Sequence, residues 1–144
     1  MKKVISNSFD MNLMSKSINE GFTRTLISSF AIQADPTIEA LSELKTIVSE
    51  AVTNAIVHGY QNKPGIIHIK AKLYEDKTIK IIIRDKGIGI PDIKQAMEPL
   101  YTTGNEERAG MGFTIMETFS DKLKVISKEG KGTSIIIEKS LTEK

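Results

Sequence analysis

A glutamate and an asparagine lie four residues apart, at Glu50 and Asn54, in a segment whose apolar spacing predicts a helix. Residues at this spacing share one helix face, so the two side chains form a polar ridge. An amide oxygen is one of the few protein ligands that Mg²⁺ takes when nucleotide phosphates and water supply the rest. A carboxylate one turn earlier can orient or deprotonate a hydroxyl that attacks the terminal phosphate. The non-functional alternative is a solvent-exposed polar helix face, because short motifs of this kind often occur by chance.

A carboxylate followed by two glycines, Asp85-Lys-Gly87-Ile-Gly89, comes directly after a predicted strand. The carboxylate can accept a hydrogen bond from the exocyclic amine of adenine, and the glycines let the backbone pass close to a flat ring. Thr133, in a later predicted strand, has a hydroxyl that can complete the same contact. The competing interpretation is an ordinary turn, since Asp-x-Gly is common at strand ends.

A second glycine pair, Gly110 and Gly112, precedes a predicted helix whose first backbone amides can bind phosphate. The polar stretch before it contains Thr102, Thr103 and Arg108 and has the composition of a lid. Arg108 suits contact with a terminal phosphate, with a partner protein or with solvent. Together the motifs predict a site for ATP or ADP with Mg²⁺.

Composition narrows the class of protein. The chain has 144 residues, of which 40% are hydrophobic and 26% charged, and it contains no cysteine. This length suits one domain spanning residues 1–144. A net charge of +2 does not favour a nucleic-acid groove, and the missing cysteines exclude disulfides and sulfur-bound zinc. No signal peptide or membrane anchor is recognised, so we expect a cytoplasmic protein.

Apolar periodicity predicts the elements that position the motifs. A helix from Ser15 or Ser17 to about Gln33 is expected to bury a stripe of residues spaced by four. Asp35-Pro36 is expected to cap a second helix that runs to Gly59 and carries the polar ridge. Strands are predicted at residues 4–9, 67–73, 78–84, 123–127 and 133–138. The predicted stripe consists of Ile18, Phe22, Leu26 and Phe30.

In this order and on these elements, the motifs resemble the ATP-binding fold shared by gyrase-type ATPases, Hsp90, histidine kinases and MutL. The resemblance implies an α+β fold, a two-layer α/β sandwich of the Bergerat type with a mixed, mostly antiparallel sheet and helices on one face. More narrowly, segments 49–60, 84–91 and 108–117 look like those of the anti-sigma F factors of sporulating bacteria, which are serine kinases. The similarity covers essentially the whole chain.

That resemblance implies a homodimer that binds and inhibits a sporulation sigma factor and phosphorylates a serine of a small anti-anti-sigma protein. Glu50 would be the catalytic base, Asn54 the magnesium ligand, and Asp85 and Thr133 the adenine contacts. The lid and phosphate region would span residues 102–112. Arg24 matches the sigma-contacting arginine, and Arg108 matches the lid arginine that meets the partner. The lid departs from the family pattern at Gly104-Asn105.

Three alternatives remain open. A relative from the general-stress branch would carry the same motifs and bind a different sigma factor. A nucleotide-gated binding module without phosphate transfer would need Asn54 and Asp85 but no base, so Glu50 argues against it. A detached histidine-kinase catalytic domain is the third, although neither His58 nor His68 is placed to accept phosphate.

Overall fold

The structure is a computed structural model that describes residues 3–97 and 111–142. Its strands are β1 (Ile5–Met14), β2 (Ile66–Tyr74), β3 (Thr78–Asp85), β4 (Lys122–Lys128) and β5 (Gly132–Ser140). Its α-helices are α1 (Ile18–Ala31), α2 (Ile38–Thr53), α3 (Ile93–Met97) and α4 (Gly112–Phe119). A 3₁₀ turn (Ile32–Ala34) follows α1, and a π-helical turn (Asn54–Gly59) continues α2. None of the helices in the described ranges is long and apolar enough to cross a membrane.

The five strands form one sheet in the order β1-β2-β3-β5-β4, and each pairing in the described ranges is antiparallel. Alternate residues of the central strands face the helices and are fully buried, as Ile69, Ile81 and Ile137 illustrate. Leu44, Ile47 and other α2 residues at helical spacing complete this core. The predicted α+β sandwich with a mostly antiparallel sheet is therefore confirmed.

The predicted buried stripe of α1 is wrong. Ile18 and Phe22 are 78% and 51% exposed, whereas Thr23 and Ile27 are buried beside Phe30. A row of residues spaced by four advances about 40° beyond a full turn at each step, so it drifts around the helix and leaves the core face. Only the last member of the predicted row, Phe30, reaches the core.

The predicted start of α2 is also wrong by two residues. Asp35 has a positive φ of 52°, and the capping residue is Thr37, whose side chain accepts a hydrogen bond from the Ala40 amide. Proline therefore precedes the cap instead of occupying the first helical position. Ser17 likewise makes no side-chain capping bond for α1. The first strand continues past Phe9 to Met14, because its residues keep pairing with β2.

A buried lysine ties α4 to the rest of the helix layer. Lys139 of β5 is 5% exposed and donates hydrogen bonds to Glu43 of α2 at 2.9 Å and to the Phe119 carbonyl of α4 at 2.7 Å. The ion pair satisfies a charge that would be costly to bury alone. It also fixes the end of α4 against α2, which carries the polar ridge.

Candidate nucleotide site

The polar ridge lies where α2 changes its winding. Asn54 is the first residue of the π-helical turn and is 9% exposed, and Glu50, one turn earlier, is half-buried. The Tyr60 amide donates to the Ala55 carbonyl at 2.9 Å, which is the five-residue step of a π-turn. Such turns are rare and are often found at functional sites. The ridge therefore continues into a locally widened helix that ends at Gly59.

Gly59 brings this helix end into contact with Asp85. A Cβ atom on Gly59 would lie 2.8 Å from the Asp85 Cγ, so only glycine fits against the carboxylate. Asp85 is 4% exposed, and its Oδ1 accepts a hydrogen bond from the Gly87 amide at 2.9 Å. Burial raises the pKa of the Asp85 carboxyl, while hydrogen bonds from Gly87 and Thr133 lower it. The carboxylate thus lies against the ridge helix.

The glycines after Asp85 pack against other backbone segments. A Cβ on Gly87 would lie 2.0 Å from the Gly59 carbonyl oxygen. Gly89 has φ +77°, and a Cβ there would lie 2.1 Å from the Lys128 carbonyl oxygen. The sequence predicts these glycines as openings toward a ligand. In the structure, both are also required by close contacts within the protein.

The β4–β5 hairpin holds the glycine loop in place through Ser127. The Ser127 Oγ accepts a hydrogen bond from the Ile90 amide at 2.7 Å and donates to the Gly132 carbonyl at 2.9 Å. Its Oγ also lies 2.8 Å from the Thr133 hydroxyl. Because the single Ser127 proton is already used, Thr133 donates in this contact. The Thr133 oxygen keeps an acceptor position, as a contact with the adenine amine requires.

Tyr60 anchors the other side of the loop. Its hydroxyl accepts a hydrogen bond from the Lys86 amide at 2.7 Å and donates to the Ile66 carbonyl at 2.5 Å. Neither Tyr60 nor Ser127 was predicted as a site residue. A tyrosine after a helix-ending glycine and a serine in a strand carry no distinctive spacing, so no sequence signal marks either one.

Glu50 faces two different parts of the molecule. A Cβ on Gly112, at the start of α4, would lie 3.4 Å from the Glu50 Oε2. Glu50 also lines a groove of about 590 Å³ between α1 and α2, together with Arg24 and Lys45. Arg24 is ion-paired with Glu20 at 3.6 Å on its own helix. The structure thus brings Glu50, Gly112 and Arg24 into one neighbourhood.

Four of the predicted site residues, Thr102, Thr103, Arg108 and Gly110, lie outside the described residues, as does Gly104-Asn105. Within residues 3–97 and 111–142, no three histidine, aspartate or glutamate side chains cluster closely enough to hold a metal ion. A nucleotide-bound Mg²⁺ fits this arrangement, because phosphates and water supply most of its ligands. The buried Asn54 amide, on the polar ridge, is the predicted protein ligand of Mg²⁺.

The fold and the site define a nucleotide-binding class. The family model described as "Histidine kinase-like ATPase domain" matches residues 20–139. The RsbU and RsbW domains of a Mycobacterium tuberculosis protein superpose with a TM-score of 0.67 at 15% identity, over 94% of this chain and 33% of that one. This likeness supports the fold.

Relatives narrow the class to one family. The anti-sigma F factor of Thermoanaerobacter sp. (strain X514) is 56% identical over 93% of this chain and 94% of its own length. The anti-sigma F factor of Clostridium acetobutylicum is 50% identical over 94% of this chain and 95% of its own. The chain belongs to the anti-sigma F factor family.

Proposed function

We propose that this protein binds and inhibits a sporulation sigma factor and that, as an ATP-dependent serine kinase of one domain, it phosphorylates a small anti-anti-sigma protein. The contact of Gly59 with the buried Asp85 carries this proposal. This contact holds the Asp85 carboxylate, which we propose as the acceptor for adenine, at one end of a helix whose preceding turns contain Asn54 and Glu50. The residues proposed for base recognition, metal binding and proton removal then lie along one side of the site.

The residues fit Mg²⁺-bound ATP in separate roles. Asp85 accepts the adenine amine, and Thr133 offers a second oxygen beside it. Asn54 would supply an oxygen ligand to Mg²⁺, and the ion would supply positive charge to the phosphates. Glu50 accepts the proton of the partner's serine hydroxyl as the serine oxygen bonds to the terminal phosphorus and the bond to ADP breaks.

The similarity to anti-sigma F factors and the position of Arg24 support a sigma factor as the binding partner. The Arg24 side chain is 46% exposed and lies on the surface of the helix layer. Its guanidinium suits an acidic surface, because it forms directed hydrogen bonds to carboxylates. We assign Arg24 to the sigma factor contact. Arg108 is assigned to the anti-anti-sigma partner or to the terminal phosphate.

A homodimer accounts for the exposed apolar side chains of α1. Phe9 of the edge strand β1 packs under α1 with its ring centroid 4.9 Å from that of Phe30. Nearer the start of α1, Ile18 and Phe22 are exposed. An edge strand next to an apolar helix surface suits pairing with a second copy. Phe22→Glu should yield monomers in analytical ultracentrifugation, whereas Ile38→Glu, at a 90% exposed position on α2, should leave the dimer intact.

Reconstitution tests the whole proposal. The purified protein is combined with Mg²⁺-ATP, the sporulation sigma factor and the anti-anti-sigma protein of the same organism. We expect inhibition of sigma-dependent transcription and a phosphoserine on the anti-anti-sigma protein, detected by mass spectrometry. Glu50→Gln should keep the inhibition and lose the phosphoserine. Inhibition without transfer in the wild-type protein would favour a nucleotide-gated binding module, and capture of a general-stress sigma factor instead would favour the other branch.

A further inference from the structure

The sheet has a second face, which lies opposite the helix layer. Ile69, Ile81 and Ile137 are buried against the helices, so the residues that alternate with them point away from the core. The strand register aligns these outward residues in three rows that cross all five strands. None of them belongs to the described hydrophobic core. We call the surface formed by these three rows the outer face.

The outer face has a large excess of positive charge. Asp10 and Glu138 are its carboxylates, whereas six of its residues are lysine or arginine. The whole chain has a net charge of only +2, so positive charge is concentrated on this side of the molecule. None of the six forms an ion pair with another described residue. The six are Lys70, Lys72, Lys80, Arg84, Lys122 and Lys124.

Protection of the sheet edges does not account for this charge. Lys72 and Lys80 lie directly opposite each other on β2 and β3, which are both inside the sheet. Like charges in this position repel and destabilise the pairing of the strands. Lysines that prevent aggregation belong on edge strands, which are β1 and β4 here. The Lys72–Lys80 pair therefore indicates a negatively charged ligand.

The side-chain types of the outer face discriminate among negatively charged ligands. Five of its six cations are lysine, which is depleted in protein–protein interfaces, where arginine and aromatic residues are enriched. Its three rows, which the structure describes in full, contain no tryptophan, tyrosine or phenylalanine on which a nucleic-acid base could stack. Flexible lysines suit a layer of mobile negative charges, such as the headgroups of anionic lipids.

Isoleucines add apolar contact area to the outer face. Ile82 and Ile136 are neighbours in the middle row, between Lys70 and Lys124. Ile126 projects from the same side of β4 as Lys124 and is 50% exposed. A lysine keeps its ammonium group in water while its aliphatic stem lies along apolar surface, so lysines beside isoleucines suit the boundary between headgroups and acyl chains.

We propose that the outer face binds reversibly to the surface of an anionic lipid bilayer. The lysines contact the lipid headgroups, and Ile126 enters the headgroup layer. Asp85 alternates with the outward residues of β3 and is buried on the helix side, so the candidate nucleotide site lies away from the lipid. A bilayer-bound molecule can therefore still take up nucleotide. This inference does not depend on the proposed kinase activity.

Cosedimentation with lipid vesicles tests the proposal without ATP or a partner protein. Vesicles of equal parts phosphatidylglycerol and phosphatidylcholine should bind the purified protein at about 0.1 M salt, whereas vesicles of phosphatidylcholine alone should not. Binding should be lost at about 1 M salt, because the Debye length falls from about 10 Å to about 3 Å. The absence of binding to the anionic vesicles at low salt would overturn the proposal.

Charge reversals identify the surface that binds. Lys72→Glu should lower the vesicle partition coefficient tenfold or more, because each lysine charge near an anionic surface contributes about fivefold. The same change turns a like-charge pair into an opposite-charge pair, so the urea midpoint should stay equal or rise. Loss of binding is then separated from loss of folding. Lys124→Glu, at an exposed position of β4, should weaken binding by a similar factor.

Lys45→Glu is the control of equal charge change, because Lys45 is an exposed residue of α2 on the helix side of the molecule. It should bind the vesicles as the wild-type protein does. An equal loss in Lys45→Glu and Lys72→Glu would show that only net charge matters and would overturn the proposal. So would a wild-type protein that ignores the vesicles and binds labelled DNA or an acidic protein through Lys72, since the outer face would then serve that class of partner.

Discussion

Arg24 of α1 and Glu50 of α2 line the same groove, although they lie on different helices. The resemblance to the family assigns them different tasks, sigma factor binding and proton removal. In the structure, a carboxylate introduced at position 24 would enter the groove that contains Glu50. A charge reversal at Arg24 therefore cannot separate the two tasks, and removal of the charge is the cleaner change.

Arg24→Ala should weaken capture of the sigma factor severalfold, because a directed charge contact is lost, while kcat for phosphate transfer stays within about twofold. Surface plasmon resonance with immobilised sigma factor measures the first effect and a phosphorylation assay the second. Glu20→Gln is the matched control, since it removes the helix partner of Arg24 and keeps the arginine. Wild-type capture by Arg24→Ala would contradict the assignment.

Glu50→Gln and Asn54→Ala should fail in different ways. The glutamine variant should bind Mg²⁺-ATP normally and slow phosphorylation by about 10²–10⁴-fold, the usual contribution of a positioned general base. The alanine variant should lose the magnesium-dependent part of ATP binding. Isothermal titration with and without Mg²⁺ distinguishes them. If the two variants show the same defect, the division of roles between Glu50 and Asn54 is wrong.

Asp85 should make the site selective for adenine, since its carboxylate accepts the amine of adenine and repels the keto oxygen of guanine. ATP and ADP should bind and GTP should not. Asp85→Asn should weaken ATP binding, because its amide can still accept from Gly87 but no longer presents a second acceptor oxygen. Calorimetry with the three nucleotides measures both effects, and comparable GTP affinity in the wild-type protein would exclude the adenine assignment.

The same substitution should alter the dependence of stability on pH. Burial raises the pKa of Asp85 above its ordinary value of 3.8, so the folded state holds a proton that the unfolded chain has released. Stability from this group is therefore present at low pH and falls as pH rises from 3.8 through the raised pKa. Asp85→Asn should lack this decline and unfold at equal or higher urea concentration at pH 7. A clear loss of stability of Asp85→Asn at pH 7 would contradict the raised pKa of Asp85.

Gly89 and Gly130 offer a matched pair with nearly the same φ angle. Their φ angles are +77° and +78°, but a Cβ on Gly89 would lie 2.1 Å from the Lys128 carbonyl oxygen, and one on Gly130 meets nothing within 4 Å. Gly130→Ala should cost about 1–2 kcal/mol, the strain of a left-handed alanine. Gly89→Ala should cost clearly more and should also weaken ATP binding. Urea unfolding measures the difference, and equal losses would show that close packing is unimportant.

The sequence predicted the sheet well, because strict alternation in residues 67–73 and the matching Ile79, Ile81 and Ile83 mark one buried face. It predicted α1 poorly, since several rows of apolar residues compete and only packing selects one. Ile27, which belongs to the correct row, is fully buried. The start of α2 was predicted wrongly from Asp35-Pro36, because a proline next to a carboxylate is as typical of a turn before the capping residue as of the first helical position.

Candidate site residues that belong to short motifs could be predicted, and those that support them could not. Glu50, Asn54 and Asp85 stand at recognisable spacings. Tyr60 and Ser127 act through hydrogen bonds to the loop after Asp85, and their partners are distant in sequence. The contact of Gly59 with Asp85 likewise depends on the tertiary fold. Sequence spacing contains no information about such pairs.

The extra residue in the turn from Asn54 to Gly59 limits how this helix can change length. Insertion of one more residue there, beyond the one that the π-helical turn already absorbs, would rotate the segment beyond it by about 100° relative to the ridge. Gly59 would leave the Asp85 carboxylate, and a residue with a side chain would take its place. Single-residue insertions in this stretch should therefore be excluded from functional variants, whereas the turn at residues 61–64, whose side chains are exposed, can accept them.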